Sequence, residues 1–104
     1  MAPRPPLLDP AAVTGALETL DGWTGDPAGL ERTVECASFP AAIALVVAVA
    51  DVAEEMDHHP DIDLRWRRVD LSLATHSAGG VTAKDIELAA ALDEIAAQLP
   101  QHHK

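Results

Sequence analysis

Asp61-Ile62-Asp63-Leu64-Arg65-Trp66-Arg67-Arg68-Val69-Asp70-Leu71-Ser72-Leu73-Ala74-Thr75 is the stretch whose pattern decides the fold. Ile62, Leu64 and Trp66 share one strand parity, while Val69, Leu71, Leu73 and Thr75 share the other. Successive strand side chains point to opposite faces, so a one-residue slip would turn every apolar side chain away from the core. The change of phase at Arg67-Arg68 therefore implies a tight turn or bulge, most simply between two antiparallel strands. Pro60 precedes the first strand, the second ends at Thr75-His76, and Gly79-Gly80 makes the turn out.

Working outward, Ser38-Phe39-Pro40 opens a helix expected from about residue 41 to 56. Val46, Val47 and Val49 would suit a strand, but a run of that length without a turn signal favours a helix. Its first ten residues are apolar on every side, so solvent cannot face it there. The sheet would cover one side and a partner subunit the other. Residues 30–37 alternate partially and read as a strand, with Trp23 in a short strand paired to it across Gly25, Asp26, Pro27 and Gly29. Further upstream, Asp9 is an N-cap with Pro10 at the first helical position; Val13, Leu17 and Leu20 follow at helical spacing, and Gly22 ends the element. Downstream, Thr82-x-x-Asp85 is a capping signature, followed by a stripe of Leu88, Leu92, Ile95 and Leu99 and a stop at Pro100.

The expected architecture is α+β, in the order α-β-β-α-β-β-α. A four-stranded antiparallel sheet would carry three helices on one face. Residues 1–8 are expected as a flexible N-terminal segment, 9–100 as a single domain and 101–104 as a tail.

At 104 residues, nearly half of them apolar, the chain can bury one modest core. Trp23, Phe39 and Trp66 are its three aromatics, so that core must be aliphatic. A formal charge of −10 argues against nucleic acid or an anionic membrane as a direct partner, since both select for Lys and Arg patches. The lone Cys36 cannot form an internal disulfide, which suits a reducing cytoplasm. Neither a secretory signal nor an apolar run long enough to span a membrane is visible.

Chemistry points to His58 and His59 at the end of the long helix, and to His76 at the end of a strand. Glu54, Asp57 and Asp85 are the nearby carboxylates. An imidazole ordinarily titrates near ~6.5, so two or three facing one pocket could supply both an acid and a base. Each residue also has a plainer explanation. Histidines at a helix C-terminus interact favourably with its dipole. His76 has the parity of a solvated strand end, Asp85 serves as a cap and Glu54 as a surface residue. A metal site is a third possibility, with Glu54 and His58 at ligand spacing, although adjacent His58 and His59 would need unusual geometry to share an ion. His102 and His103 are assigned no role.

Taken together, Glu54-x-x-x-His58-His59-Pro60, Trp66, Val69, Leu73, Thr75-His76, Gly80-Val81-Thr82 and Asp85 resemble the signature of the pterin-4a-carbinolamine dehydratases. The match runs without a gap from about residue 53 to 89; Gly22-Trp23 and the Phe39 helix entry extend it through the N-terminal half. The resemblance implies the fold derived above, association into homodimers or homotetramers, and no metal or cofactor. It also implies dehydration of a 4a-hydroxytetrahydropterin to the quinonoid dihydropterin. His58, His59 and His76 would be catalytic, with Glu54 and Asp85 orienting or charge-stabilising them. Trp23, His59, Pro60, Thr75, Ser77 and Ala78 would contact the pterin. Some relatives of this kind are dimerisation or assembly partners instead. The chain departs from many relatives at Ile62 and Asp63, where aromatics are common, and at Trp66, often Tyr; these positions read as sheet packing.

Overall fold

The computed structural model describes residues 6–99. Its elements are α1 (Pro10–Thr19), β1 (Thr24–Asp26), β2 (Gly29–Glu35), α2 (Phe39–Met56), β3 (Asp61–Arg65), β4 (Arg68–Leu73) and α3 (Ala83–Gln98). The four strands form one antiparallel sheet in the order β1-β2-β4-β3. The expected order and fold class are both present. Pro100, His102 and His103 lie outside the described residues.

The phase change becomes a hairpin in which Arg65 faces Arg68 and Ile62 faces Leu71, with Trp66-Arg67 as the turn. Trp66 does not pack in the sheet with Ile62 and Leu64, as its parity suggested. It takes a left-handed turn position (φ 54°), is 69% exposed, and carries the Arg67 guanidinium 4.5 Å from its ring centroid. A hairpin joined this tightly needs positive φ to match the strand twist, and that local demand overrides parity.

Alternation sorts the sheet into two faces. Leu30 and Val34 of β2 and Val69, Leu71 and Leu73 of β4 are buried, while Glu31, Thr33 and Glu35 on the opposite face are exposed. Onto the apolar face pack Val13 of α1, Leu45 and Val49 of α2, and Leu88 and Leu92 of α3. Burial of each large aliphatic side chain contributes roughly 1.5–3 kcal/mol.

Local chemistry sets the helix ends. Asp9 accepts from the Ala12 N–H at 2.8 Å with Pro10 in the first turn. Ser38 accepts from Ala41 at 3.2 Å, so α2 starts at Phe39. Thr82 and Asp85 complete a reciprocal capping box. Leu7 and Leu8 already lie on the domain, through a bridge to Thr82 and a hydrogen bond from Leu8 to Val81. Among the described residues, no helix is long and apolar enough to cross a membrane.

On the side of α2 away from the core, Phe39, Ile43 and Val47 form an exposed apolar stripe. The same helix buries Ala42, Leu45, Val49 and Ala53. Its apolar start is therefore half covered within one chain.

Candidate active site

Two chain reversals bring the histidines together. At the end of α2 the His58 N–H donates to the Ala53 carbonyl (3.1 Å) and the Asp57 N–H to the Glu54 carbonyl (3.2 Å). These are the two bonds of a Schellman closure, with Asp57 in the left-handed position usually held by glycine (φ 51°, ψ 42°). His58 and His59 leave the helix as the backbone turns, and Pro60 leads into β3.

The second reversal follows β4. Thr75 bridges Gly80, and the Thr75 carbonyl accepts from Ala78 and Gly79, both at 3.0 Å. Gly79 supplies a positive φ of 82°. A Cβ on Gly80 would lie 2.5 Å from the Pro27 carbonyl oxygen, so only glycine fits where this turn docks on the β1–β2 loop. His76 and Ser77 are held at the tip of this clamped turn.

Between the reversals lies a cleft of about 270 Å³, lined by Asp57, His58, His59, Ala74, Thr75, His76, Ser77 and Lys84. A larger hollow of about 400 Å³ opens over Gly25–Glu31, Asp61 and Ser72. Its titratable groups are carboxylates alone, so it offers no proton donor and acceptor near neutral pH. The smaller cleft is the one lined by the three imidazoles.

Its histidines are held differently. His58 Nε2 lies 2.5 Å from Asp85 Oδ1; the His58 side chain is 11% exposed and that of Asp85 fully buried. Asp85 Oδ2 accepts from Thr75 Oγ1 at 2.8 Å and from the Thr82 N–H at 2.9 Å. His59 Nε2 lies 2.7 Å from Glu54 Oε1, with both side chains largely in solvent. His76 is exposed beside Ser77. Because His58 and His59 bind different carboxylates through Nε2, these nitrogens do not converge on one point. Each carboxylate can fix a tautomer and stabilise a protonated ring.

Of the other expected contact residues, Thr75 and Ser77 line the cleft, while Pro60 and Ala78 are neighbours of lining residues. Trp23, expected to wall the pocket, does not line it. Its ring is 4% exposed in the core and its Nε1 donates to Asp93 Oδ1 at 2.7 Å, on α3. Asp93 also pairs with Arg32 and accepts from the Asp21 N–H, so Trp23 belongs to a staple between the α1–β1 connection and α3. Asp93 lies eight residues beyond Asp85, roughly 12 Å along the helix.

Sequence reasoning missed Lys84 and Ala74 as cleft residues, named Asp57 as a nearby carboxylate without giving it a role, and read Thr82 only as a cap. The cap at Thr82 already fixes where Lys84 sits, one residue before Asp85.

Residues 6–95 match the family model described as pterin 4 alpha carbinolamine dehydratase. A provisionally named pterin-4-alpha-carbinolamine dehydratase of Nocardia farcinica is 53% identical over 90 residues, 86% of this chain and 95% of that one. One of Roseiflexus castenholzii, named in the same provisional way, is 54% identical over 89 residues, 86% and 96% of the two chains. Among solved structures, a transcriptional coactivator/pterin dehydratase from Brucella melitensis superposes with a TM-score of 0.82 at 36% identity, covering 86% of this chain and 97% of that one. A pterin dehydratase-like protein described as a RuBisCO assembly factor of the alpha-carboxysome gives 0.59 at 25% identity, covering 71% and 86%. With the histidine cleft, the fold and matches over most of the chain in agreement, this protein belongs to the pterin-4-alpha-carbinolamine dehydratase family.

Proposed function

We propose that this chain removes water from a 4a-hydroxytetrahydropterin, giving the quinonoid dihydropterin, as a step of tetrahydropterin recycling in the cytoplasm. The observation that carries this is the meeting of His58, His59 and His76 at one cleft. In the reaction the C4a–O bond breaks, a protonated imidazole delivers its proton to the departing oxygen, and a neutral imidazole takes the proton from a pterin nitrogen. Water leaves and no electrons are exchanged, so the scheme calls on no metal or cofactor.

His59 and His76, the two exposed imidazoles, face the reacting centre. His58 is held from behind by Asp85, and Glu54 orients His59. Pro60, Thr75, Ser77 and Ala78 contact the pterin through backbone and small side chains. General acid–base groups typically contribute about 10²–10⁴-fold. Stopped-flow absorbance with freshly generated 4a-hydroxytetrahydropterin is expected to show faster dehydration with the protein. His59→Ala and His76→Ala should each lose about 10²-fold or more in kcat. A wild-type rate equal to buffer would sink the proposal.

The exposed Phe39, Ile43 and Val47 stripe favours a second function, as a dimerisation or assembly partner of the same fold. The two structural neighbours, one described as a coactivator and the other as an assembly factor, point the same way. A homodimer or homotetramer that buries this stripe is compatible with catalysis. Light scattering of Val47→Lys should then report a smaller particle than wild type; an unchanged mass would remove the stripe from the interface.

A further inference from the structure

We infer that the hydroxyls of Thr75 and Thr82 act in series as positioning groups for His58, locking it with a proton on Nε2 and a lone pair on Nδ1. The inference rests on the dehydratase proposal for its kinetic consequence, but its structural core stands on the hydrogen-bond chain alone.

The polarity of that chain follows from its ends. Thr82 is the N-cap of α3, and its Oγ1 accepts from the Lys84 N–H at 3.3 Å. Its own proton is therefore free to go to Thr75 Oγ1, which lies 2.7 Å away. Having accepted there, the Thr75 hydroxyl donates to Asp85 Oδ2 at 2.8 Å. The Thr82 N–H donates to the same oxygen at 2.9 Å. Oδ2 thus receives two donors, and Asp85 is left with Oδ1 as its remaining acceptor. The group at Oδ1 is His58 Nε2, at 2.5 Å.

An ionised carboxylate can only accept, and with Oδ2 taken by two donors it is Oδ1 that is turned to His58, so Nε2 donates. In the neutral ring this assigns the lone pair to Nδ1. The arrangement is sealed: Thr75 is 5% exposed and Thr82 and Asp85 not at all, so water cannot substitute for a missing hydroxyl. Position in the fold adds to this. Asp85 stands in the first turn of α3, where the helix dipole favours a negative charge.

This separates the histidines by task. His58, 11% exposed and tied to a fully buried carboxylate, is held in one orientation, while the exposed His59 can change partners. Thr75 also acquires a role distinct from touching the pterin. Thr75 lines the cleft, but its hydroxyl is turned to Asp85.

Nitrogen-15 NMR of the imidazole rings, at a pH where they are neutral, reads the tautomer directly and without substrate. Wild type is expected to show His58 protonated on Nε2. Thr75→Val should give a mixed tautomer and a kcat lower by about 10–100-fold, the range of losses for outer groups that orient a ligand histidine. KM should change little, because valine keeps the β-branched shape of the side chain and only the hydroxyl that points to Asp85 is lost. Thr75→Ser keeps the hydroxyl and should restore both tautomer and kcat. An Nδ1–H tautomer in wild type would overturn the inference, as would a Thr75→Val protein with an unchanged tautomer. A loss expressed only in KM would return Thr75 to a contact role. Should wild type show the Nε2–H tautomer yet no turnover, the positioning chain stands and the dehydratase proposal alone falls. If Thr75→Val does not fold, the wild-type spectrum and Thr75→Ser still decide.

Discussion

His58 and His59 are neighbours in sequence, yet the two walls of the cleft they belong to are built in opposite ways. On the His58 side the partner carboxylate is fully buried and every oxygen has a donor. On the His59 side both partners are largely solvated, with side-chain exposures of 54% and 79%. The two distances differ little, 2.5 Å against 2.7 Å. Environment, rather than contact length, separates them. A buried pair cannot exchange its partner for water and acts as part of the scaffold, whereas an exposed pair reorganises at low cost.

The largest expected effect comes from breaking the buried wall. Asp85→Ala removes the acceptor of His58, Thr75 and the Thr82 N–H at once. Loss of one partner from a buried charged network typically destabilises by about 3–5 kcal/mol. Chemical denaturation should show a loss of that order, and the protein that remains folded should be nearly inactive. The matching change on the other wall, Glu54→Gln, is expected to leave stability within about 0.5 kcal/mol. Its effect on kcat should be less than about fivefold, since exposed ion pairs typically contribute 0.2–1 kcal/mol. If Glu54→Gln proved as damaging as Asp85→Ala, the division between a fixed and an adjustable wall would be wrong.

The same division explains what could be read from the sequence. Asp9, Ser38 and the Thr82–Asp85 box were legible because caps join residues three positions apart. The β3–β4 hairpin was legible because parity is a local count. The histidine cluster was visible as three separate signals, but its internal order was not. His58 meets Asp85 across 27 residues, and nothing local indicates that His58 rather than His59 turns inward. Trp23 was misplaced for a related reason: its partner Asp93 is 70 residues away, and an indole before a turn looks the same whether it faces a pocket or a helix. Trp66 failed differently, because a turn's demand on one φ angle outweighed the alternation of the strand before it.

Asp57 joins the two walls, and it gives the smallest predicted effect. It holds a left-handed conformation that costs most L residues about 1–2 kcal/mol, less for Asp and Asn. Glycine would relieve that cost, but it loses more backbone entropy on folding, typically about 0.4–1 kcal/mol at such a site. The two terms nearly cancel. Asp57→Gly is therefore expected to stabilise by about 0.5 kcal/mol, a rise in Tm of roughly 2–4 °C for a domain of this size. Asp57→Ala loses the local tolerance of Asp without gaining that of Gly, and should lower Tm instead. Asp57 also lines the cleft, so its carboxylate can serve the site as well as the helix end. Calorimetry of the three proteins, with dehydration measured on each, tests this. A glycine variant that is both more stable and fully active would mean that Asp57 serves only to end the helix. One that is more stable but slower would place its carboxylate in the working surface of the cleft.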